Sequence, residues 1–126
     1  MQQANSPTIL LVDRDADRKE RISLLKKNGF KVYPALDITQ ARERYKPGKF
    51  DLIIVSAQAN NPQVALAMCD EIARRDANQP LLLMAAADLQ LPSRHYLVSP
   101  QPEMVVERAK ALFAARSGPE KRSFAA

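Results

Sequence analysis

The sequence predicts one α/β domain in which a parallel β-sheet is covered on both faces by helices. Three observations predict it. Five short apolar runs recur along the chain: Thr8–Val12, Lys31–Tyr33, Leu52–Val55, Leu81–Met84 and Tyr96–Val98. Helical patterns lie between most of them, so the connections are βαβ crossovers and the strands run parallel. The runs are short and largely continuous, as strands buried on both faces are, rather than alternating.

Each helix has its own signals. Asp15 can cap a first helix ending at Asn28, with acids in its first turn and Lys26 and Lys27 in its last. Gly29 followed by Phe30 is a Schellman-type stop. Asp37 with Gln40 three residues on resembles a capping box, and its helix turns Ile38, Ala41 and Tyr45 inward before Lys46-Pro47-Gly48. A third helix runs from about Gln63 to Arg75 with Ala65, Met68, Cys69 and Ile72 facing inward. The last opens at Pro102, a good first-turn residue, and buries Val105, Ala109, Leu112 and Phe113 before Gly118. One connection is too short. Only ten residues, Ala85 to Arg94, separate the fourth run from the fifth, whereas a complete crossover needs at least ~10–12 residues and Pro92 shortens any helix further. The fourth helix is therefore missing or much reduced.

Composition narrows the function classes. The 126 residues suit a single core, read as a domain over 7–116 and a flexible tail over 117–126. No run approaches the ~20 apolar residues of a membrane span, and one cysteine excludes an internal disulfide, so a cytoplasmic protein without membrane contact is expected. The formal charge of +5 invites nucleic acid, but the basic residues mostly alternate with acids on helix faces and no nucleic-acid motif accompanies them. The three glycines form no phosphate loop. His95 precedes the fifth strand and Ser56 follows the third, on the order of 10 Å apart at ~3.3 Å rise per residue, so no nucleophile–base pair is expected. Cys69 reads as a core thiol.

The motifs ILLVD (Ile9–Asp13), DLIIVS (Asp51–Ser56), PLLLMAA (Pro80–Ala86) and YLVSP (Tyr96–Pro100), in this order of elements, resemble a receiver domain, the input module of bacterial two-component response regulators. The resemblance covers about residues 7–116. It implies a flavodoxin-like doubly wound five-stranded sheet of order 2-1-3-4-5. In that family an aspartate after the third strand accepts phosphate from a histidine kinase. An acidic pair holds Mg²⁺, a Thr or Ser ends the fourth strand, and a Lys before Pro ends the fifth. A carboxylate attacks phosphorus, and metal, hydroxyl and ammonium groups stabilise the charge.

Placed on this sequence, the resemblance puts Ser56 at the acceptor position, Asp13 and Arg14 at the acidic pair, Ala85 at the hydroxyl and Ser99 at the lysine. Only Asp13 matches. Arg14 either neutralises Asp13 in place of the metal or points to solvent. Asp15 reads as a helix cap more than as a second carboxylate. Tyr96 stands at the family's aromatic switch position and Pro100 follows the lysine position, which implies a cis Ser99-Pro100 bond. The expected protein is a pseudo-receiver: not an enzyme, with no metal or cofactor, binding a protein partner without phosphate control. The alternatives are a basic effector that binds nucleic acid and the regulatory domain of a longer transcriptional regulator. The shortened connection is expected to leave the sheet uncovered beside Leu82, Met84 and Leu97. This makes Leu89, Leu91, Tyr96, Val105 and Phe113 the candidate interface with a partner or a second copy.

Overall fold

The structure is a computed structural model that describes residues 6–57, 62–85 and 96–117. Its elements are β1 (Thr8–Val12), α1 (Arg18–Lys27), β2 (Lys31–Ala35), α2 (Ile38–Arg44), β3 (Leu52–Ser56), α3 (Pro62–Arg75), β4 (Leu81–Met84), β5 (Tyr96–Val98) and α4 (Pro102–Ser117). The strands form one parallel sheet in the order β2-β1-β3-β4-β5. The registers Leu11↔Pro34, Leu11↔Ile54, Ile54↔Leu82 and Leu82↔Tyr96 run through it. Pro34, which cannot donate to a ladder, is tolerated because β2 lies at an edge.

Two apolar layers sandwich the sheet. Leu10, Val12, Ile53, Val55, Leu81 and Leu83 pack against α2 and α3, where Ala41, Ala65, Met68, Cys69 and Ile72 point inward. Ile9, Leu11, Leu52, Ile54, Leu82 and Met84 pack against α1 and α4 through Leu25, Val105, Val106 and Ala109. The Phe30 and Phe113 rings, 5.4 Å apart, close this second layer where α1 ends.

Helix ends follow the local chemistry closely. Asp37 accepts the Gln40 N–H at 2.9 Å, and the Gln40 side chain accepts the Leu36 N–H at 2.8 Å. Gly29 adopts φ +92°, and the Phe30 N–H returns to the Leu25 carbonyl at 3.2 Å, the six-to-one bond of a Schellman stop.

Three expectations are corrected. α1 starts at Arg18 rather than after Asp15, because the carboxylate of Asp15 is engaged elsewhere and residues 15–17 form a turn. The described residues contain no cis peptide bond, so Ser99-Pro100 is trans, the isomer favoured by ~0.5–1 kcal/mol at X-Pro bonds. Leu82 and Met84 are fully buried beneath α1 and α4 rather than left uncovered. Every residue of β4 is buried, which leaves no alternation from which its faces could be read. The connection between β4 and β5, with the reduced helix expected there and with Leu89, Leu91 and His95, lies outside the described residues.

Two core groups generate expectations. The Tyr45 hydroxyl is buried without a hydrogen-bond partner among the described residues. An unpaired buried hydroxyl costs ~1–3 kcal/mol, so Tyr45→Phe is expected to raise the unfolding free energy by about 1 kcal/mol in urea; a loss of that size would contradict it. Burial, with Asp70 adding to it, pushes the Cys69 thiol up to about 12. The folded protein is therefore expected not to react with a chromogenic disulfide at pH 8, and to react once unfolded.

Candidate functional site

The carboxyl edge of the sheet, where β1 and β3 end side by side, carries a buried ionic network. β1 ends at Val12, and the Asp13 N–H continues its ladder to the Ala35 carbonyl at 2.9 Å. The chain then reverses: Asp13 Oδ1 accepts the Asp15 N–H at 3.0 Å, an Asx turn that leads into α1. α1 runs antiparallel to the strands, and helical side chains lean toward the helix N-terminus. Arg21, one turn before the core residue Leu25, is thereby aimed back at the end of β1.

Its guanidinium is the centre of the network. Nε donates to Asp13 Oδ2 at 2.7 Å and Nη2 to Asp13 Oδ1 at 3.2 Å, a two-point grip on one carboxylate. Nη2 also donates to Asp15 Oδ2 at 3.0 Å, and Nη1 to the Pro100 carbonyl at 2.6 Å, in the turn between β5 and α4. Asp15 Oδ2 further accepts the Ser56 hydroxyl at 3.0 Å. Arg21 is only 2% exposed and Asp13 3%. Burial alone would lower the guanidinium's affinity for its proton, but the hydrogen bond and charge of Asp13, with Asp15 and Asp17, outweigh it and raise the pKa above the ordinary arginine value. Arg21 is a cation under all working conditions.

The candidate residues separate into those the network includes and those it leaves out. Asp13 and Ser56 are in it, joined by Asp15, which acts as a second carboxylate rather than as a helix cap. Arg14 points outward and is exposed, so the cation beside Asp13 is Arg21. The backbone of Ala85 pairs with Val98, and its methyl group offers no hydroxyl. Ser99 Oγ accepts the Gln101 N–H at 3.3 Å in the turn before α4. Among the proposed interface residues, Val105 is 0% exposed and belongs to the core, and Phe113 is half-buried against Phe30. The side chain of Tyr96 lies outside the described residues. Sequence reading missed Arg21 because an arginine in a Lys- and Arg-rich helix reads as solvated charge. The available signal was its place on the inward stripe with Ile22 and Leu25.

The guanidinium places a fixed positive charge next to Asp13 and Asp15. Among the described residues no group of three or more His, Cys, Asp or Glu is placed to hold a metal. Replacing Arg21 with Met keeps most of the bulk but leaves two carboxylates without their cation. Breaking one side of a buried ion pair costs ~3–5 kcal/mol, and Arg21→Met is expected to lose that much in urea unfolding, whereas Arg14→Gln should stay within about 0.5 kcal/mol. Equal effects of the two substitutions would contradict the assignment.

No protein-family model matches the chain, and no curated protein matches it in sequence. Solved structures do match in shape. A response regulator from Thermotoga maritima aligns with a TM-score of 0.69 at 19% identity, covering 86% of this chain and 98% of that one. The receiver domain of Francisella response regulator 1452 aligns at 0.71 and 18%, covering 88% and 99%. The T. maritima response regulator TrrA, in complex with Mg²⁺–BeF, aligns at 0.68 and 22%, covering 84% and 98%. At such identities the likeness is one of architecture. The chain has the fold of response-regulator receiver domains.

Proposed function

We propose that this protein is a phosphorylation-independent receiver-like signalling module that acts by binding another protein in a two-component-type pathway. The observation that carries the reading is the Arg21 guanidinium seated between Asp13 and Asp15, with an alcohol, Ser56, beside it. An acyl phosphate requires a carboxylate nucleophile and a cation that can engage the phosphoryl oxygens. Ser56 has no carboxylate, and the donors of Arg21 are already directed at Asp13, Asp15 and Pro100. The domain is therefore not an enzyme in this reading, needs no metal or cofactor, and works in the cytoplasm. Its likeness in fold to regulators such as TrrA supports a place in signalling.

Direct binding to nucleic acid has less behind it. Arg42 and Arg75, two of the more exposed cations, are both tied to Glu71, at 2.9 and 3.6 Å. Self-association would use one edge: β5 is an edge strand, and Met104 of α4 stands 47% exposed beside Val98 and Ser99. We place any homodimer contact there, without Val105.

Incubation with acetyl phosphate and millimolar Mg²⁺ is expected to leave the intact mass unchanged and the amide resonances around Asp13 unshifted. A phosphorylated species, or saturable Mg²⁺ shifts at Asp13 and Asp15, would overturn the proposal. Ser56→Asp is expected to remain inert to the same reagent, because it adds a third carboxylate to a site whose cation is already engaged.

A further inference from the structure

The charges of the chain are divided between the two edges of the sheet. All five strands run parallel, so the strands start at one edge and the helices between them end there. At this amino edge, residues 26–31 and 42–51 carry seven cations and two carboxylates, and residues 71–76 add two of each. Residues 1–8, which lead into β1, carry no charged side chain. At the opposite edge, residues 13–21, 35–40 and 99–103 carry four cations and six carboxylates. Every acid is counted here, whether or not it accepts a hydrogen bond. The positive excess therefore sits at the amino edge, away from the Asp13–Arg21 network.

Five exposed lysines form its centre, around the start of β2. Lys26 and Lys27 belong to the last turn of α1, where cations complement the helix dipole. Lys31 opens β2, its N–H bonded to the Pro7 carbonyl at 2.8 Å. Lys46 and Lys49 are the two ends of a turn closed by the Lys49 N–H on the Lys46 carbonyl at 3.0 Å. Pro47 and Gly48, the latter at φ +80°, are the central residues that a type II turn favours. The Lys49 ammonium stands 5.2 Å from the Tyr33 ring centroid and 5.3 Å from that of Phe50, which holds it beside β2. Among the described residues no ion pair takes up any of the five lysines, whereas Arg42 and Arg75 are held by Glu71.

The surroundings decide which polyanion fits. Among the described residues the well-exposed large apolar side chains are Leu36, Val64 and Met104, and all three belong to the opposite edge. The lysine edge thus offers no apolar anchor to a protein hot spot or a bilayer, and lysine is depleted at protein interfaces. The rings of Tyr33 and Phe50 lie under Lys49 rather than open for base stacking. What remains is a rim of point charges running from α1 on one face of the sheet to the α2–β3 turn on the other. Two layers of ~10 Å make it about 20 Å across. That length of a DNA duplex carries about a dozen phosphates, at one per ~1.7 Å.

We propose that the amino edge binds double-stranded DNA through its phosphate backbone, without reading base sequence, by way of Lys26, Lys27, Lys31, Lys46 and Lys49. This function goes beyond the protein-binding role proposed above and does not depend on it.

The test is fluorescence anisotropy of a labelled duplex of about 20 base pairs, titrated with the full chain across a salt series. Five phosphate contacts predict that log K falls against log salt with a slope of about −4.5, at ~0.9 per contact, and that unrelated sequences bind alike. Lys31→Gln with Lys49→Gln is expected to reduce that slope by about two and to weaken binding about tenfold or more. Lys26→Gln with Lys27→Gln should do the same from α1, and circular dichroism should stay unchanged in both. Arg14→Gln with Lys19→Gln removes equal charge at the opposite edge and should alter affinity less than about twofold. Equal losses from the two edges, binding that ignores salt, or no saturable binding would overturn the proposal. A single strand that binds as tightly as the duplex would overturn it as well. So would poly-glutamate or phosphatidylserine vesicles that displace the duplex at equal charge concentration, in favour of an acidic protein or a membrane. Phosphorylation independence is read separately by intact mass, and its failure would leave the DNA result standing.

Discussion

Taking a guanidinium out of water costs several kcal/mol, and a protein can bury one only by surrounding it with well-placed acceptors. Arg21 meets that condition with three side-chain oxygens and one carbonyl: both oxygens of Asp13, one of Asp15 and the carbonyl of Pro100. Those acceptors come from the end of β1, the turn into α1 and the turn into α4. Ser56 adds the end of β3 through Asp15. One cation thus ties together three parts of the chain that lie far apart in sequence: the turn from β1 into α1, the end of β3 and the turn into α4. The contact between α1 and α4, sealed by Phe30 and Phe113 at the other end, is held at this end by the bond to Pro100.

A receiver built around a dissociable metal and a transferable phosphoryl group can change its charge in response to its surroundings. Here the cation beside the carboxylates is covalently part of α1 and, being a guanidinium, is present at every working pH. In the proposed reading the domain has exchanged a site that switches for one that is permanently satisfied. Information then has to enter through recognition at the surface.

Much of the fold was legible in the sequence because local signals and long-range order agree. Asp37 and Gln40 cap α2, Gly29 stops α1 with positive φ, and the stripe Ala65, Met68, Cys69 and Ile72 of α3 points inward, each as its residue type dictates. The site was only half legible. Ser56 was found from its position after an apolar strand and Asp13 from the resemblance to receiver domains, but their cation was sought in the adjacent Arg14. The true partner lies eight residues on, across a turn whose geometry depends on Asp15 bonding to Asp13 and Arg21 rather than capping the helix. Sequence distance favours a neighbour; the backward lean of helical side chains favours Arg21. The faces of β4 were misread for a related reason. A strand buried on both sides carries no period-two signal, so Leu82 and Met84 were expected beside an uncovered part of the sheet, and Val105, named as a candidate interface residue, instead points from α4 into the core with them.

The central claim is that Asp13 and Arg21 form one energetic unit. A double-mutant cycle on Asp13→Asn and Arg21→Gln, read by urea unfolding, tests it most directly. The account predicts a coupling energy of about 2 kcal/mol or more, with the double variant more stable than the sum of the single losses implies, because each single change strands a buried charge. Additivity within about 0.5 kcal/mol would show that the two residues act independently, and would contradict the account.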